Sequence, residues 1–98
     1  MPLFVMIGLD GPDGAACRNE HRAAHVAHIE GLHRAGRIKL AGTPRNDSND
    51  ASIGAVILFE AQNLDEAREI AHRDPFVTGG VFESLTVAPF KHAYPKES

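Results

Sequence analysis

The segment from Arg22 to Arg37 contains histidines at positions 25, 28 and 33, and His21 precedes it. An imidazole can act near neutral pH as a metal ligand or as a general base. His21 and His25 have the i, i+4 spacing of paired metal ligands on a helix. Positions 21 to 28 nevertheless span ~10 Å of helix axis, too far for three rings to share one ion at ~2 Å. We therefore predict no physiological metal site.

His25 differs from the other histidines because it falls inside the apolar stripe of the predicted helix, beside Val26 and Ile29. A carboxylate within reach would fix its tautomer and leave the second ring nitrogen free as a base. Asp74 is the candidate, since it is predicted to end the second helix, where the dipole disfavours a negative charge. A core-edge histidine with one hydrogen bond and an aspartate in an ordinary Asp-Pro turn explain the same residues. The residue types leave both interpretations open.

Three further side chains are candidates for substrate binding. Arg22 lies one turn before His25 and could hold a carboxylate or enolate oxygen, although a solvated charge at the helix edge explains it equally well. Ser84 and Thr86 form, with Phe82, a mixed polar side of the predicted fourth strand and could donate neutral hydrogen bonds. The flanking His21 and His28 receive no role. His33 suits the helix C-terminus, where the dipole favours a cation.

The elements that position these residues follow from hydrophobic periodicity, turn residues and caps. Asn63 and Glu66 fit the cap of a second helix, which Pro75 ends. The sequence predicts strands at 3–9, 37–42, 52–61 and 81–90, helices from about 15 to 36 and from 63 to 74, a polar loop at 43–50 and a turn at 75–80. The order β-α-β-β-α-β is that of a ferredoxin-like α+β fold, with both helices on one face of a four-stranded antiparallel sheet. One domain is expected over 1–98, with a polar C-terminal tail at about 91–98.

The first and third strands are apolar on both of their alternating sides. Two helices cover only one face of a sheet, so the other face would leave a large apolar patch exposed on a single chain. We therefore expect a homodimer whose sheets pack face to face.

Composition excludes several classes of protein. The chain has 98 residues, 43% of them hydrophobic and 23% charged, with a net charge of −3, so the basic surface of a nucleic-acid binder is missing. Cys17 is the single cysteine, which fits a reducing cytoplasm. The N-terminus has no basic leader, and no apolar run approaches membrane-spanning length. The expectation is a cytoplasmic protein with no membrane association.

Several segments together resemble the YCII-related (YciI-like) family of the dimeric α+β barrel superfamily. The helix carries Arg22-x-x-His25, the second helix runs into Asp74-Pro75-Phe76 followed by Gly80, and the last strand closes with Pro89-Phe90-Lys91. The similarity covers nearly the whole chain. The sequence departs from the family pattern at Gly42-Thr43-Pro44, where the family usually has adjacent glycine and proline, so the resemblance does not imply the shape of the loop beside the pocket.

The resemblance implies a dimer and a His–Asp active site, carried onto His25 and Asp74. It also implies chemistry of the dehydrochlorinase or muconolactone-isomerase type on a small cyclic or enolic substrate. The expected function is a lyase or isomerase in which His25 removes a proton and Asp74 orients its ring. This chemistry needs no cofactor, and the chain has no glycine-rich phosphate loop. The alternative is a non-catalytic dimer that binds a small molecule or docks on an enzyme.

Overall fold

The computed structural model describes residues 1–96 and has the predicted element order with one additional short helix. The strands are β1 (Leu3–Asp10), β2 (Ile38–Gly42), β3 (Gly54–Glu60) and β4 (Phe82–Pro89). The helices are α1 (Gly14–Arg34), α2 (Leu64–His72) and α3 (Pro75–Thr78). Residues 91–96 of the predicted tail lie outside helices and strands, and its last two residues lie outside the described residues.

The four strands form one antiparallel sheet in the order β2-β3-β1-β4, which confirms the predicted fold. Phe4 and Met6 of β1 pair with Phe59 and Ile57 of β3 on the face that the helices cover. These side chains pack against Ala67, Ile70 and Ala71 of α2 and against Ile29 and Leu32 of α1. Alternation along the strands thus places one apolar set in the core.

The opposite face of the sheet carries the second apolar set of β1 and β3. Leu9 is 46% exposed and Ile7 is 37% exposed, and Leu40 of β2 lies beside Leu58. The sequence prediction of a second apolar face is therefore correct for the single chain. In the part of the chain that the structure describes, no helix has both the length and the apolar character needed to cross a membrane.

Local signals set the helix ends. Gly36 has a φ of +74°, and Gly36 and Arg37 donate backbone hydrogen bonds to the carbonyls of His33 and Leu32, which ends α1 in a Schellman motif. At the start of α2, Asn63 Oδ1 accepts from the Glu66 backbone N–H at 2.9 Å, as predicted. The Gln62 backbone N–H and the Arg37 guanidinium, which both donate to the Glu66 carboxylate, lower the pKa of that group below its usual value.

Two local predictions are wrong. Residues 75–78 form the short helix α3 instead of a turn, because Asp74 and Pro75 supply a good N-cap and first helical residue. Val26 is 49% exposed and does not lie at the centre of the buried stripe. The side of α1 that faces the protein is rotated away from Val26. That side contains Gly14, Arg18, His21, His25, Ile29 and Leu32.

Candidate active site

Asp74 follows the end of α2 and caps the start of α3. The residue has an extended backbone between α2 and α3, and its Oδ1 accepts from the Phe76 backbone N–H at 2.9 Å. Pro75 has no N–H and occupies the first helical position, where none is needed. Asp74 thus follows the C-terminal end of α2, as expected, and the hydrogen bond from the start of α3 compensates its charge there.

The structure brings His25 and Asp74 together although they are far apart in the chain. His25 Nδ1 lies 2.7 Å from Asp74 Oδ1, the oxygen that also caps α3. The aspartate side chain is only 1% exposed and the histidine side chain is 17% exposed. Since a carboxylate accepts hydrogen bonds, the neutral imidazole carries its proton on Nδ1, and Nε2 is left with a free lone pair. Within residues 1–96, Asp74 Oδ2 is buried and has no hydrogen-bond partner.

Aromatic packing fixes the plane of the His25 ring. The ring stacks on Phe76 with centroids 3.8 Å apart and an interplanar angle of 1°. Phe76 in turn meets the Phe82 ring edge-on at 6.2 Å, and Phe82 lies directly over Gly8, where a Cβ would come within 2.7 Å of its ring. The imidazole therefore has one orientation set by the Asp74 contact and by the Phe76 stack.

A buried ion pair that the sequence patterns did not predict lies beside this stack. Arg18 donates from Nε and Nη2 to the two carboxylate oxygens of Asp10 at 2.7 and 2.8 Å, and also to the Gly54 carbonyl at 2.7 Å. Its guanidinium carbon is 5.1 Å from the Phe76 ring centroid. One feature of the sequence indicates the location of Arg18 beside His25. The two residues are seven positions apart, which places both on one side of a helix. The pair joins α1 to β1 and β3.

His25 lines a small cavity between α1 and the β2–β3 side of the sheet. The cavity has a volume of about 200 Å³ and a mostly apolar lining. The lining residues are His25, Ile29, Ala41, Gly42, Thr43, Ala55 and Ile57. Thr43, at the position where this chain departs from the family pattern, is thus a wall residue of the cavity. A cavity of this kind accommodates the apolar part of a small molecule next to the imidazole.

The three predicted substrate-binding residues lie in different places. Arg22 is exposed and lines a second cavity, separate from that of His25, one helical turn earlier on α1. Ser84 pairs with Leu9 and Thr86 with Ile7, so both polar side chains lie on the sheet face opposite His25. The structure therefore does not bring these two residues to the site. A register shift at Leu9/Asp10 breaks the alternation, and Phe82 lies with the core residues instead of beside Ser84 and Thr86.

The remaining helix histidines do not form a cluster with His25. His21 lies against Gly79, and His28 is half-buried. Among residues 1–96, no group of three or more His, Cys, Asp and Glu side chains has an arrangement suited to a metal ion.

The fold and the site together define a class: a ferredoxin-like α+β domain with a buried His–Asp pair next to a small apolar cavity. The sequence profile of the YCII-related domain matches residues 2–91. The chain belongs to the YCII-related family, as the sequence motifs indicated.

Individual relatives agree with this assignment. The chain is 36% identical over 97 residues to the protein YciI of Escherichia coli O6:H1, covering 94% of this chain and 99% of that protein. It is 28% identical over 96 residues to an uncharacterized protein of Haemophilus influenzae, covering 93% and 98% of the two chains.

A solved structure is also similar. It is the 5-chloro-2-hydroxyhydroquinone dehydrochlorinase TftG from Burkholderia phenoliruptrix AC1100, in complex with 2,5-dihydroxybenzoquinone. The TM-score is 0.82 at 26% sequence identity, and the alignment covers 97% of this chain and 99% of that one. The two proteins share the fold over their whole length.

Proposed function

We propose that this protein is a cofactor-independent lyase or isomerase that moves a proton on a small cyclic or enolic substrate. The observation that carries the proposal is the 2.7 Å contact between His25 Nδ1 and the buried Asp74 carboxylate, at the wall of a small, mostly apolar cavity. A histidine held in this way has the geometry of a general base. The similarity to a dehydrochlorinase supports a lyase reaction.

In the proposed mechanism, His25 Nε2 removes an acidic C–H or O–H proton from a substrate in the apolar cavity. Asp74 keeps the proton on Nδ1 and stabilises the imidazolium that forms. In an elimination, the electron pair of the broken bond forms the new double bond, chloride leaves with its bonding pair, and His25 returns its proton to solvent. In an isomerisation, His25 returns the proton to another carbon of the same molecule.

Arg22 is proposed to hold an anionic oxygen of the substrate, since it lies one turn from His25 on α1 and lines the second cavity. Ser84 and Thr86 are left out of the proposed site because their strand positions face the other side of the sheet.

We also propose that two copies pack through the open sheet face. The exposed Ile7, Leu9 and Leu40 give this face the apolar character of a self-association surface. Analytical ultracentrifugation should show a dimer for the wild type and a monomer for Ile7→Glu. A monomeric wild type would refute the proposed dimer.

The enzymatic proposal is tested with a panel of small enols, lactones and halogenated hydroxyquinones, including 5-chloro-2-hydroxyhydroquinone. Product formation by the wild type is compared with that by His25→Ala and by His28→Ala, a matched control on the same helix. At least one compound should be converted by the wild type and by His28→Ala but not by His25→Ala. Equal conversion by all three proteins would contradict the role of His25 as the base, and no conversion of any compound would favour a binding module.

A further inference from the structure

A second cavity, lined by the turns of α1 that precede His25, has a different chemical character from the His25 cavity. Its volume is about 290 Å³, and it lies between the first half of α1 and the loop between β2 and β3. Arg18, Arg22 and Arg45 line it, together with Asp50 and Ser52. Three guanidinium groups around one small cavity favour an anionic ligand.

The charges at this cavity do not cancel. Arg18 is neutralised by its two hydrogen bonds to Asp10. The Asp50 carboxylate accepts from the Asn46 side-chain amide at 2.7 Å. Arg22 and Arg45 form no ion pair within residues 1–96, and their guanidinium groups donate to neutral oxygens at 3.2 to 3.5 Å. Two cations against the single carboxylate of Asp50 leave a net charge of about +1, which suits a monoanion.

Arg45 is held in place by an ordered loop. Asn46 Oδ1 accepts from the backbone N–H groups of Asp50 and Ala51, which closes the loop on itself. Arg45 donates from Nε and Nη2 to the side-chain and backbone oxygens of Asn49, and from Nη1 to Ser52 Oγ. These contacts fix the guanidinium at the cavity wall, and none of them is to a carboxylate.

The linings of the two cavities are close in sequence on both walls. On α1, Arg22 precedes His25 by one turn, which is about 4.5 Å along the helix axis. On the opposite wall, Thr43 lines the His25 cavity and Arg45, two residues later, lines the arginine cavity. On each wall, the arginine is therefore within three residues of a residue that lines the His25 cavity.

We infer that Arg22 and Arg45 form a subsite for the anionic oxygen group of the substrate, either a carboxylate or an ionised enol. This inference rests on the proposed function for the location of the reacting carbon. It narrows the substrate class to small monoanions with an apolar ring or chain and an acidic group a few bonds from the proton that His25 removes. Arg45 is then a specificity-determining residue outside the helix that carries the base.

The test measures ligand dissociation constants by NMR titration. Benzoate probes a carboxylate, 2,5-dihydroxybenzoquinone an ionised enol, inorganic phosphate a tetrahedral anion, and benzamide an uncharged ring. Arg22→Gln and Arg45→Gln should each weaken benzoate or dihydroxybenzoquinone binding about tenfold or more and leave benzamide unchanged. Arg34→Gln, on the exposed end of α1, is the matched control and should bind like the wild type.

The outcomes separate this subsite from catalysis. His25→Gln should retain benzoate binding, since the anion contacts do not include the imidazole. Unchanged binding of both organic anions by Arg22→Gln and Arg45→Gln would overturn the subsite, even where His25-dependent turnover is found. Arg45-dependent binding that is tighter for phosphate than for benzoate would overturn the assignment to a planar anion. Loss of binding in the arginine variants without any turnover would sustain the subsite while refuting the enzyme.

Discussion

Replacing Asp74 by asparagine separates the structural role of this residue from its proposed chemical role. An asparagine retains an oxygen that can accept from the Phe76 backbone N–H, and asparagine is as good an N-cap as aspartate. The change removes the negative charge that stabilises the imidazolium form of His25. It also places an amide group where the buried Oδ2 has no hydrogen-bond partner among residues 1–96.

The expected effects on stability and on rate differ in size. An unsatisfied buried amide costs about 1–3 kcal/mol, while a small domain has about 5–15 kcal/mol of unfolding free energy, so Asp74→Asn should remain folded. General-base catalysis contributes on the order of 10²–10⁴ in rate. The imidazolium that forms on proton removal loses its carboxylate partner in Asp74→Asn, so most of this contribution should be lost. A fall in kcat of at least about 10² corresponds to about 2.7 kcal/mol of transition-state stabilisation.

The assay combines urea denaturation with turnover of whichever compound the substrate panel identifies. Asp65→Asn, on the exposed first turn of α2, is the matched control and should keep both stability and rate. A folded Asp74→Asn protein with wild-type kcat would refute the role assigned to the carboxylate.

Three other predictions concern stability. Arg18→Gln leaves the Asp10 carboxylate without its charged partner and should lower the unfolding free energy by about 3–5 kcal/mol in urea denaturation. The exposed Arg34→Gln should lower it by about 0–1 kcal/mol. Equal effects of the two changes would contradict the role of the Arg18–Asp10 pair. Gly54→Ala brings a Cβ against a backbone carbonyl oxygen and should lower the unfolding free energy by about 1–3 kcal/mol. In Gly42→Ala the new Cβ meets no atom within 4 Å, so the melting temperature should be nearly unchanged. Similar melting temperatures for the two variants would count against the close approach of the two strands at Gly54. The pKa of Glu66 is lower in the folded protein than in the unfolded chain. Its contribution to stability is therefore present above the unfolded pKa and is lost as the pH falls through the folded pKa. The unfolding free energy should fall less steeply between pH 6 and pH 3 in Glu66→Gln than in the wild type, and parallel curves would refute this.

The sequence was informative where a repeating pattern determines the structure. Alternation along the strands and the 3.6-residue period of the helices predicted the element order and the apolar second face of the sheet. The pairing of His25 with Asp74 was predicted from the negative charge at the end of the second helix and from the family motifs. Spacing along the sequence does not connect two residues that are 49 positions apart.

The failures have physical causes that lie outside these patterns. The register shift at Leu9/Asp10 moved Phe82 to the core side and left Ser84 and Thr86 on the other side, and simple alternation does not anticipate a bulge. The Arg18–Asp10 pair joins a helix to a strand end, and such a contact depends on tertiary packing. Val26 was misplaced because the buried side of α1 is centred on polar residues, among them Arg18 and His25.

The central claim, that Asp74 holds the His25 proton on Nδ1 and leaves Nε2 as the base, is tested most directly by two-bond ¹H–¹⁵N NMR of the histidine rings. At pH about 9, where an ordinary imidazole is neutral, His25 should show a protonated Nδ1 and an unprotonated Nε2, and Asp74→Ala, which removes the acceptor at Nδ1, should shift it towards a mixture of tautomers. A wild-type His25 with its proton on Nε2 would contradict the claim.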